Sequence, residues 1–194
     1  PVELQVKWEG IQWVITHGEY MPYDQVIKTA MEWTFQDYNI SYEMQDIQDF
    51  ADSMGQWEPF PDAVEAIKEL KKYCKVTVIT QGTSDIIQAT DKNFGFGFDD
   101  FVTSDMVNAY KPKYDGFKLS QKRLGMTEKE ILHAGFGYKY DIIPASQLGY
   151  TTCWVNRSGE PRPAGQSETF MVGDLKTLAA IIRYQSEHDD FYSF

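Results

Sequence analysis

The sequence predicts an α/β fold in which a parallel sheet carries helices on both faces. From residue 75 onward, short apolar runs of strand length alternate with segments whose apolar residues recur at helical spacing. Some of these runs end at a polar residue or a glycine, with a helix start soon after, as at Thr80 and Gly135. Residues 10–58 precede this part and are mostly helical by the same criterion. Alternation of strands and helices is typical of parallel sheets with crossover helices.

The predicted elements follow one another in a regular order. Strands are predicted over residues 75–80, 100–104, 131–135, 150–156 and 170–172. Helices are predicted over residues 84–93 and 115–124, after Asp141, and over residues 174–183. Thr127 and Glu130 have the spacing of a capping box. Residues 158–167 contain Gly, Pro and Ser and are predicted to form a surface loop.

The chain is predicted to divide into four segments. In residues 1–9, apolar side chains at positions 2, 4, 6 and 8 alternate with other residues, and this period of two predicts a strand. Residues 10–58 form the helical part, which ends where Pro59 and Pro61 break the pattern. Residues 59–185 form the α/β part. Residues 186–194 are polar and aromatic and are expected to be a loosely held tail.

The charge and the cysteine content limit the partners and the compartment. The formal net charge of −11 argues against nucleic acid or an acidic membrane surface as a partner. No apolar run approaches the ~18 residues that a membrane-spanning helix needs. Cys74 and Cys153 both lie in apolar runs, which favours buried free thiols over a disulfide. Free thiols predict a reducing compartment, the cytoplasm.

Candidate site residues lie where predicted strands end. Thr80, Gln81 and Gly82 follow the first strand of the alternating part, and a hydroxyl with backbone N–H groups at a helix start can bind an anion. The alternative is that Thr80 only caps the next helix. Lys111, followed by a proline, is placed to balance a negative charge, or else is part of an exposed turn. Asp141 is placed to orient Lys111 or hold Mg²⁺, or else is a helix N-cap.

The remaining polar and aromatic candidates are interpreted as structural. The three histidines and two cysteines lack zinc-ligand spacing, so no metal and no cofactor are predicted. His133 lies inside a predicted strand and is expected to be a packed core residue rather than a base. Aromatic residues of the helical part are expected to pack its helices, with an apolar substrate cleft as the alternative; they are Trp8, Trp13, Tyr20, Tyr23 and Trp33.

A series of short motifs resembles the haloacid dehalogenase superfamily, and more narrowly its type II 2-haloacid dehalogenase branch. The motifs are, in order, WEPFPD at 57–62, VITQG at 78–82, YKP at 110–112, LH at 132–133, DIIPA at 141–145, LG at 148–149 and CWVNR at 153–157. The resemblance covers roughly residues 8–160 and the last strand and helix. It implies a Rossmann-like core with a small helical cap.

The resemblance also implies a reaction and roles for residues. In such an enzyme an Asp carboxylate displaces halide from C2 of a 2-haloacid, and water hydrolyses the resulting ester. Thr80 with neighbouring N–H groups would hold the substrate carboxylate, Lys111 would balance the negative charges, and Asp141 would position Lys111. The substrate would be a small anionic molecule.

The chain departs from the family in its first motif. The family begins with a strand that ends in Asp-x-x-Gly-Thr and carries the nucleophile, and this motif is absent from the sequence. Three functions therefore stand as alternatives: a hydrolase whose nucleophile precedes Pro1, a non-catalytic protein that binds a ligand or partner, and a phosphatase-type hydrolase. The phosphatase alternative is weakened because Asp141 alone makes a poor Mg²⁺ site.

The missing strand has a structural consequence. The family's first strand is central in the sheet, so its loss exposes the apolar faces of its neighbours at a cost of ~25 cal/mol per Å². The segment from Val2 to Trp8 is the candidate to fill that position. Failing that, a second copy of the chain is expected to supply the strand, which would give a homodimer.

Overall fold

The computed structural model describes residues 2–188. The helices are α1 (Val2–Thr16), α2 (Tyr23–Asp37), α3 (Met44–Asp52), α4 (Ala63–Leu70), α5 (Ser84–Phe94), α6 (Ser104–Val107), α7 (Asp115–Leu124), α8 (Ile143–Gln147) and α9 (Leu175–Glu187). The strands are β1 (Thr77–Ile79), β2 (Asp100–Val102), β3 (Leu132–Gly135), β4 (Thr151–Val155) and β5 (Phe170–Val172). The order of predicted elements from residue 75 onward is confirmed, and so is the capping box of Thr127 and Glu130.

All strand pairs are parallel, as predicted, but the strands form two separate sheets. β1 pairs with β2, and β3, β4 and β5 pair in that order. Helices flank these sheets, which confirms the α/β fold with a Rossmann-like core and helices ahead of it. Within residues 2–188, no strand pairs with β1 on the side away from β2 or with β3 on the side away from β4.

The strand predicted over residues 1–9 is wrong for residues 2–9. These residues form the first half of α1, which continues to Thr16. The alternation that predicted a strand coexists with a second pattern, because Leu4, Trp8, Ile11 and Ile15 recur at helical spacing. These four side chains are only partly exposed, whereas Val2, Val6 and Val14 are exposed. The segment is a helix because α1 packs against α2.

The helices around the sheets form two layers. On one side, α4 and α9 pack together, and Val76 and Leu132 belong to the apolar clusters of this side. On the other side, Phe117 of α7 packs with Ile79 and Ile131. Because side chains alternate along a strand, both faces of β1 and of β3 point at helices. A strand between them would therefore have apolar groups above and below it.

Other predictions for the chain have mixed outcomes. Both cysteines are free, as predicted, but only Cys153 is buried, and Cys74 is exposed at the end of the turn after α4. Of the predicted tail, residues 186 and 187 belong to α9, and residues 189–194 lie outside the described residues. No helix in the described part combines the length and apolarity needed to cross a membrane. The division into a helical cap and a core at residue 59 stays a prediction.

Candidate functional site

A buried ion pair joins two residues from separate loops at the carboxyl ends of the strands. The ammonium Nζ of Lys111 lies 2.5 Å from Oδ1 of Asp141, and the two side chains are 13% and 12% exposed. The same Nζ donates to the backbone oxygen of Ile79 at 2.9 Å. Lys111 thus connects the last residue of β1 to the loop after β3. The sequence interpretation that Lys111 and Asp141 come together is confirmed by this contact.

The loop after β3 is shaped to place the Asp141 carboxylate. β3 ends at Gly135, and residues Tyr138–Ile142 form one turn of π-helix, a form that recurs at functional sites. A Cβ at Gly135 would lie 2.5 Å from the Cβ of Asp141, so a larger residue at position 135 would displace the acid. The N–H of Gly137 donates to Oδ2 of Asp141 at 3.0 Å. Both carboxylate oxygens are therefore already engaged.

The Asp141 carboxyl is held in its charged form. Burial by itself would raise its pKa, but the Lys111 ammonium and the His133 ring outweigh burial and hold the pKa well below its usual range. Asp141 is therefore a permanent negative charge at neutral pH.

Gln81 holds the backbone of Lys111. Its Oε1 accepts from the Lys111 N–H at 2.8 Å, and its Nε2 donates to the Lys111 carbonyl at 3.0 Å. This two-point contact ties the turn after β1 to the loop that carries Lys111. Gln81 thus positions the backbone of Lys111, and its assignment as an anion-binding residue stays a prediction.

Thr80 and Gly82 form contacts within their own turn. The Gly82 N–H donates to Oγ1 of Thr80 at 3.0 Å, and the Gly82 carbonyl accepts from the Ser104 N–H at 3.2 Å. Among the described residues, no hydrogen bond joins the Thr80 side chain to Lys111 or Asp141. The hydroxyl and the N–H that were expected to cradle an anion are thus bonded to each other in this conformation.

His133 belongs to the site, which the sequence interpretation as a core residue did not foresee. Its ring packs 5.1 Å from the ring of Phe117, as a core residue would, but its Nε2 lies 3.8 Å from Oδ1 of Asp141. That separation is too long for a hydrogen bond. The Nε2 is buried and has no hydrogen-bond partner among the described residues. The signal in the sequence was its place two residues before Gly135, near the carboxyl end of β3.

The ion pair lies at one end of a cavity between the two sheets. The cavity measures about 570 Å³, and residues 76–79 line one side of it and residues 131–134 the other. Helix side chains close it above and below, including Leu70, Leu124 and Leu178. Lys111, His133 and Asp141 are its polar groups at the carboxyl ends of the strands. An apolar cavity with a few convergent polar groups is the usual form of a binding site.

β1 and β3 run in the same direction on either side of this cavity. Lys111 bonds to Ile79, the last residue of β1. It also bonds to Asp141, whose side chain lies against Gly135, the last residue of β3. The carboxyl ends of both strands therefore meet at Lys111. The cavity is a slot between two parallel strands with the ion pair at its carboxyl end.

The donor set around Asp141 does not fit a divalent cation. A Mg²⁺ site needs several oxygen ligands, and among the described residues Asp141 is the one carboxylate that lines this end of the cavity, where it already accepts from Lys111 and Gly137. Among residues 2–188, no three His, Cys, Asp or Glu side chains lie together in an arrangement suited to a metal ion.

Aromatic residues join the N-terminal helices to the site loops. The ring of Trp13 lies 4.8 Å from that of Tyr140, next to Asp141. The rings of Tyr20 and Tyr23 lie 5.3 and 6.0 Å from that of Tyr110, next to Lys111. Part of the aromatic set thus packs between the helical part and the site loops rather than within the N-terminal helices.

Comparison with known proteins places this chain in a wider group. A family model, that of the haloacid dehalogenase-like hydrolases, matches residues 9–149. The (S)-2-haloacid dehalogenase of Pseudomonas sp. (strain YL) is 25% identical over 168 residues, which are 84% of this chain and 72% of that protein. The (S)-2-haloacid dehalogenase of Pseudomonas fluorescens is 25% identical over 143 residues, or 72% of this chain and 63% of that protein.

A solved structure has the same fold. The L-2-haloacid dehalogenase from Xanthobacter autotrophicus superposes with a TM-score of 0.81 at 22% identity, covering 93% of this chain and 86% of that one.

Proposed function

The chain belongs to the haloacid dehalogenase-like hydrolases, in the 2-haloacid dehalogenase-like branch, and we propose that it carries the charge-holding part of a site for small 2-haloacids. The observation that carries this proposal is the buried pair of Lys111 and Asp141 at the carboxyl ends of two parallel strands. A fixed ammonium at that place attracts a carboxylate and stabilises negative charge that moves toward a departing halide.

The proposed reaction is hydrolysis of a carbon–halogen bond. A carboxylate attacks C2 of the haloacid, the halide leaves with the bonding electrons, and water then hydrolyses the ester to a 2-hydroxy acid. We do not assign the attack to Asp141, because its buried carboxylate holds the Lys111 ammonium and the Gly137 N–H in place. Glu130, the other acid that lines the cavity, accepts from Thr127 at the far end of β3. The attacking carboxylate must therefore come from outside the described residues.

The same observation favours a second candidate function. Since the described residues offer a cation but no free carboxylate beside it, the chain alone would bind a haloacid without turning it over. A protein of this kind would serve as a ligand-binding or partner-binding member of the family. The engaged oxygens of Asp141 argue against the phosphatase-type alternative, which would need them for Mg²⁺. Free cysteines fit the cytoplasm as the compartment.

The test measures chloride release and binding with the same protein. The 194-residue chain is incubated with (S)-2-chloropropionate, and binding is followed by titration calorimetry. Turnover that Lys111→Ala abolishes, while Lys113→Ala at the exposed neighbouring lysine leaves it unchanged, supports the hydrolase. Saturable binding without chloride release, lost only in Lys111→Ala, supports the charge-holding site that both proposals share. Neither turnover nor binding would overturn both proposals.

A further inference from the structure

A buried glutamate lies behind the loop that carries Asp141 and has no role in the proposed reaction. The side chain of Glu168, two residues before β5, is 0% exposed. Its Oε2 accepts from the Tyr138 hydroxyl at 2.6 Å. Its Oε1 lies 3.0 Å from Nε of Arg162 but has no hydrogen-bond partner among the described residues. The bond from Tyr138 joins this carboxylate to the loop after β3.

Stability alone is a poor explanation for the Glu168 carboxylate. A charged group is costly to bury unless it is both paired and hydrogen-bonded. Its cationic partner, Arg162, is 51% exposed, and ion pairs of exposed groups add little to stability. Apolar side chains of similar volume often stabilise a protein as well as buried charges do. What the carboxylate holds in place is therefore the better explanation for it.

Tyr138, which Glu168 holds, is the first residue of the turn that places Asp141. The π-helical turn runs from Tyr138 to Ile142, and Asp141 is its fourth residue. The ring of Tyr138 packs edge-on against the ring of Trp154 in β4, with 4.9 Å between the centroids. Both the ring and the hydroxyl of Tyr138 are thus held, which fixes the place where the turn begins.

The start of the turn sets the position of the Asp141 carboxylate. The Asp141 N–H donates to the Gly137 carbonyl at 2.7 Å, and the Gly137 N–H donates to Oδ2 of Asp141 at 3.0 Å. Both bonds join Asp141 to the residue directly before Tyr138. A displacement of Tyr138 would therefore move Gly137 and draw the carboxylate away from Lys111.

We propose that Glu168 is a positioning residue for the Lys111–Asp141 ion pair. It acts through Tyr138: the carboxylate holds the phenol, the phenol fixes the start of the π-helical turn, and the turn sets Asp141 against the ammonium. For haloacid binding the inference rests on the proposed function, because a displaced ammonium would bind a substrate carboxylate less tightly. Its effect on the geometry of the ion pair does not depend on that function.

The first test follows the Gly137 amide, whose hydrogen exchange reports on its bond to the Asp141 carboxylate. Tyr138→Phe removes one oxygen and keeps the ring beside Trp154. It should speed exchange at Gly137 at least about tenfold, because the turn loses a hydrogen bond that anchors it. The amides of β4 should keep their rates, because the change is local. Exchange is measured by NMR on the full chain.

Variants at position 168 separate the hydrogen bond from packing. Glu168→Ala removes the acceptor and should speed Gly137 exchange as much as Tyr138→Phe does. Glu168→Gln still offers a side-chain oxygen to the phenol and should keep exchange within about threefold of the unchanged chain. Tyr42→Phe is the matched control, because its hydroxyl donates to Glu32 at 3.2 Å in the helical part, and it should leave Gly137 unchanged.

The second test titrates (S)-2-chloropropionate into the same proteins by calorimetry. Tyr138→Phe should weaken binding at least about fivefold, and Tyr42→Phe should leave it unchanged. If the unchanged chain binds no haloacid, the proposed function fails, and Gly137 exchange still decides the role of Glu168. Equal affinity of Tyr138→Phe and the unchanged chain would overturn the claim that Glu168 serves the binding site.

Four exchange results would overturn the proposal. Unchanged exchange at Gly137 in Tyr138→Phe would show that the turn holds itself, and this variant decides alone if Glu168→Ala does not fold. Equal acceleration at Gly137 and throughout β4 would mean that the bond adds only to global stability. Equal rates in Glu168→Gln and Glu168→Ala would exclude the hydrogen bond as the cause. Fast exchange at Gly137 in the unchanged chain would show that the turn does not hold the carboxylate.

Discussion

β4 and the pair β1 and β3 are all short parallel strands, yet they differ in how much of each strand is buried. Val155 of β4 is 4% exposed, whereas Val78 of β1 is only partly buried. The difference follows from neighbours: β4 has a strand on each side, and β1 and β3 have one each. Burial is therefore set by everything that packs beside and over a strand and not by residue type alone, since Val102 and Val172, on strands with one neighbour each, are also buried.

The largest loss of stability is expected at Trp154 of β4, the strand that has a neighbour on each side. Trp154 is 1% exposed, and its indole N–H donates to the Phe136 carbonyl at 3.0 Å. Trp154→Ala should lower the free energy of unfolding by about 3–5 kcal/mol, because it leaves a large cavity. Urea denaturation measures this loss. A loss below about 1 kcal/mol would mean that β4 is not the tightly packed centre.

The next effect is expected at the ion pair that closes the slot. Lys111→Met keeps much of the side-chain volume but leaves Asp141 without its cation. Because removing one partner of a buried ion pair is destabilising, this variant should lower the free energy of unfolding by about 3 kcal/mol. The exposed Lys113→Met is the matched control and should change the free energy of unfolding by less than about 0.5 kcal/mol. Equal effects of the two variants in urea denaturation would show that the pair is not buried in solution.

The stability contributed by the Lys111–Asp141 pair should depend on pH in the acid range. The pKa of Asp141 is lowered in the folded protein, so the folded state favours the charged form and the unfolded state takes up the proton first. Its contribution to stability is complete above the ordinary Asp pKa of about 4 and is lost as the pH falls below that value. Asp141→Asn removes this dependence. The stability difference between the parent and Asp141→Asn should therefore shrink between about pH 5 and pH 2, and a constant difference would contradict the assignment.

A matched pair of valines tests the comparison itself. Val155→Ala should lower the free energy of unfolding by about 2–3 kcal/mol. Val78→Ala is the same chemical change beside the slot and should lower it by only about 1 kcal/mol. Both losses are measured by urea denaturation under the same conditions. Equal losses would indicate that something fills the slot in solution.

Most of the fold was accessible from the sequence, because local periodicity specifies helices and parallel strands well. Lys111 and Asp141 were also accessible, since each follows a strand whose carboxyl end lies at the same edge of the fold. The place of His133 in the site could not be predicted from the sequence. Its closeness to Asp141 depends on the π-helical turn after Gly135, which no local pattern indicates. The first segment was mispredicted because its residues fit two periods, and only packing against α2 decides between them.

The most direct test of the open slot is residue-resolved amide hydrogen exchange of the chain alone. Val78 bonds toward β2, whereas Thr77 and Ile79 face the slot. With the slot open, we expect slow exchange at Val78 and at the buried residues of β4, and much faster exchange at Thr77 and Ile79. Protection of Thr77 and Ile79 as strong as that of β4 would contradict it.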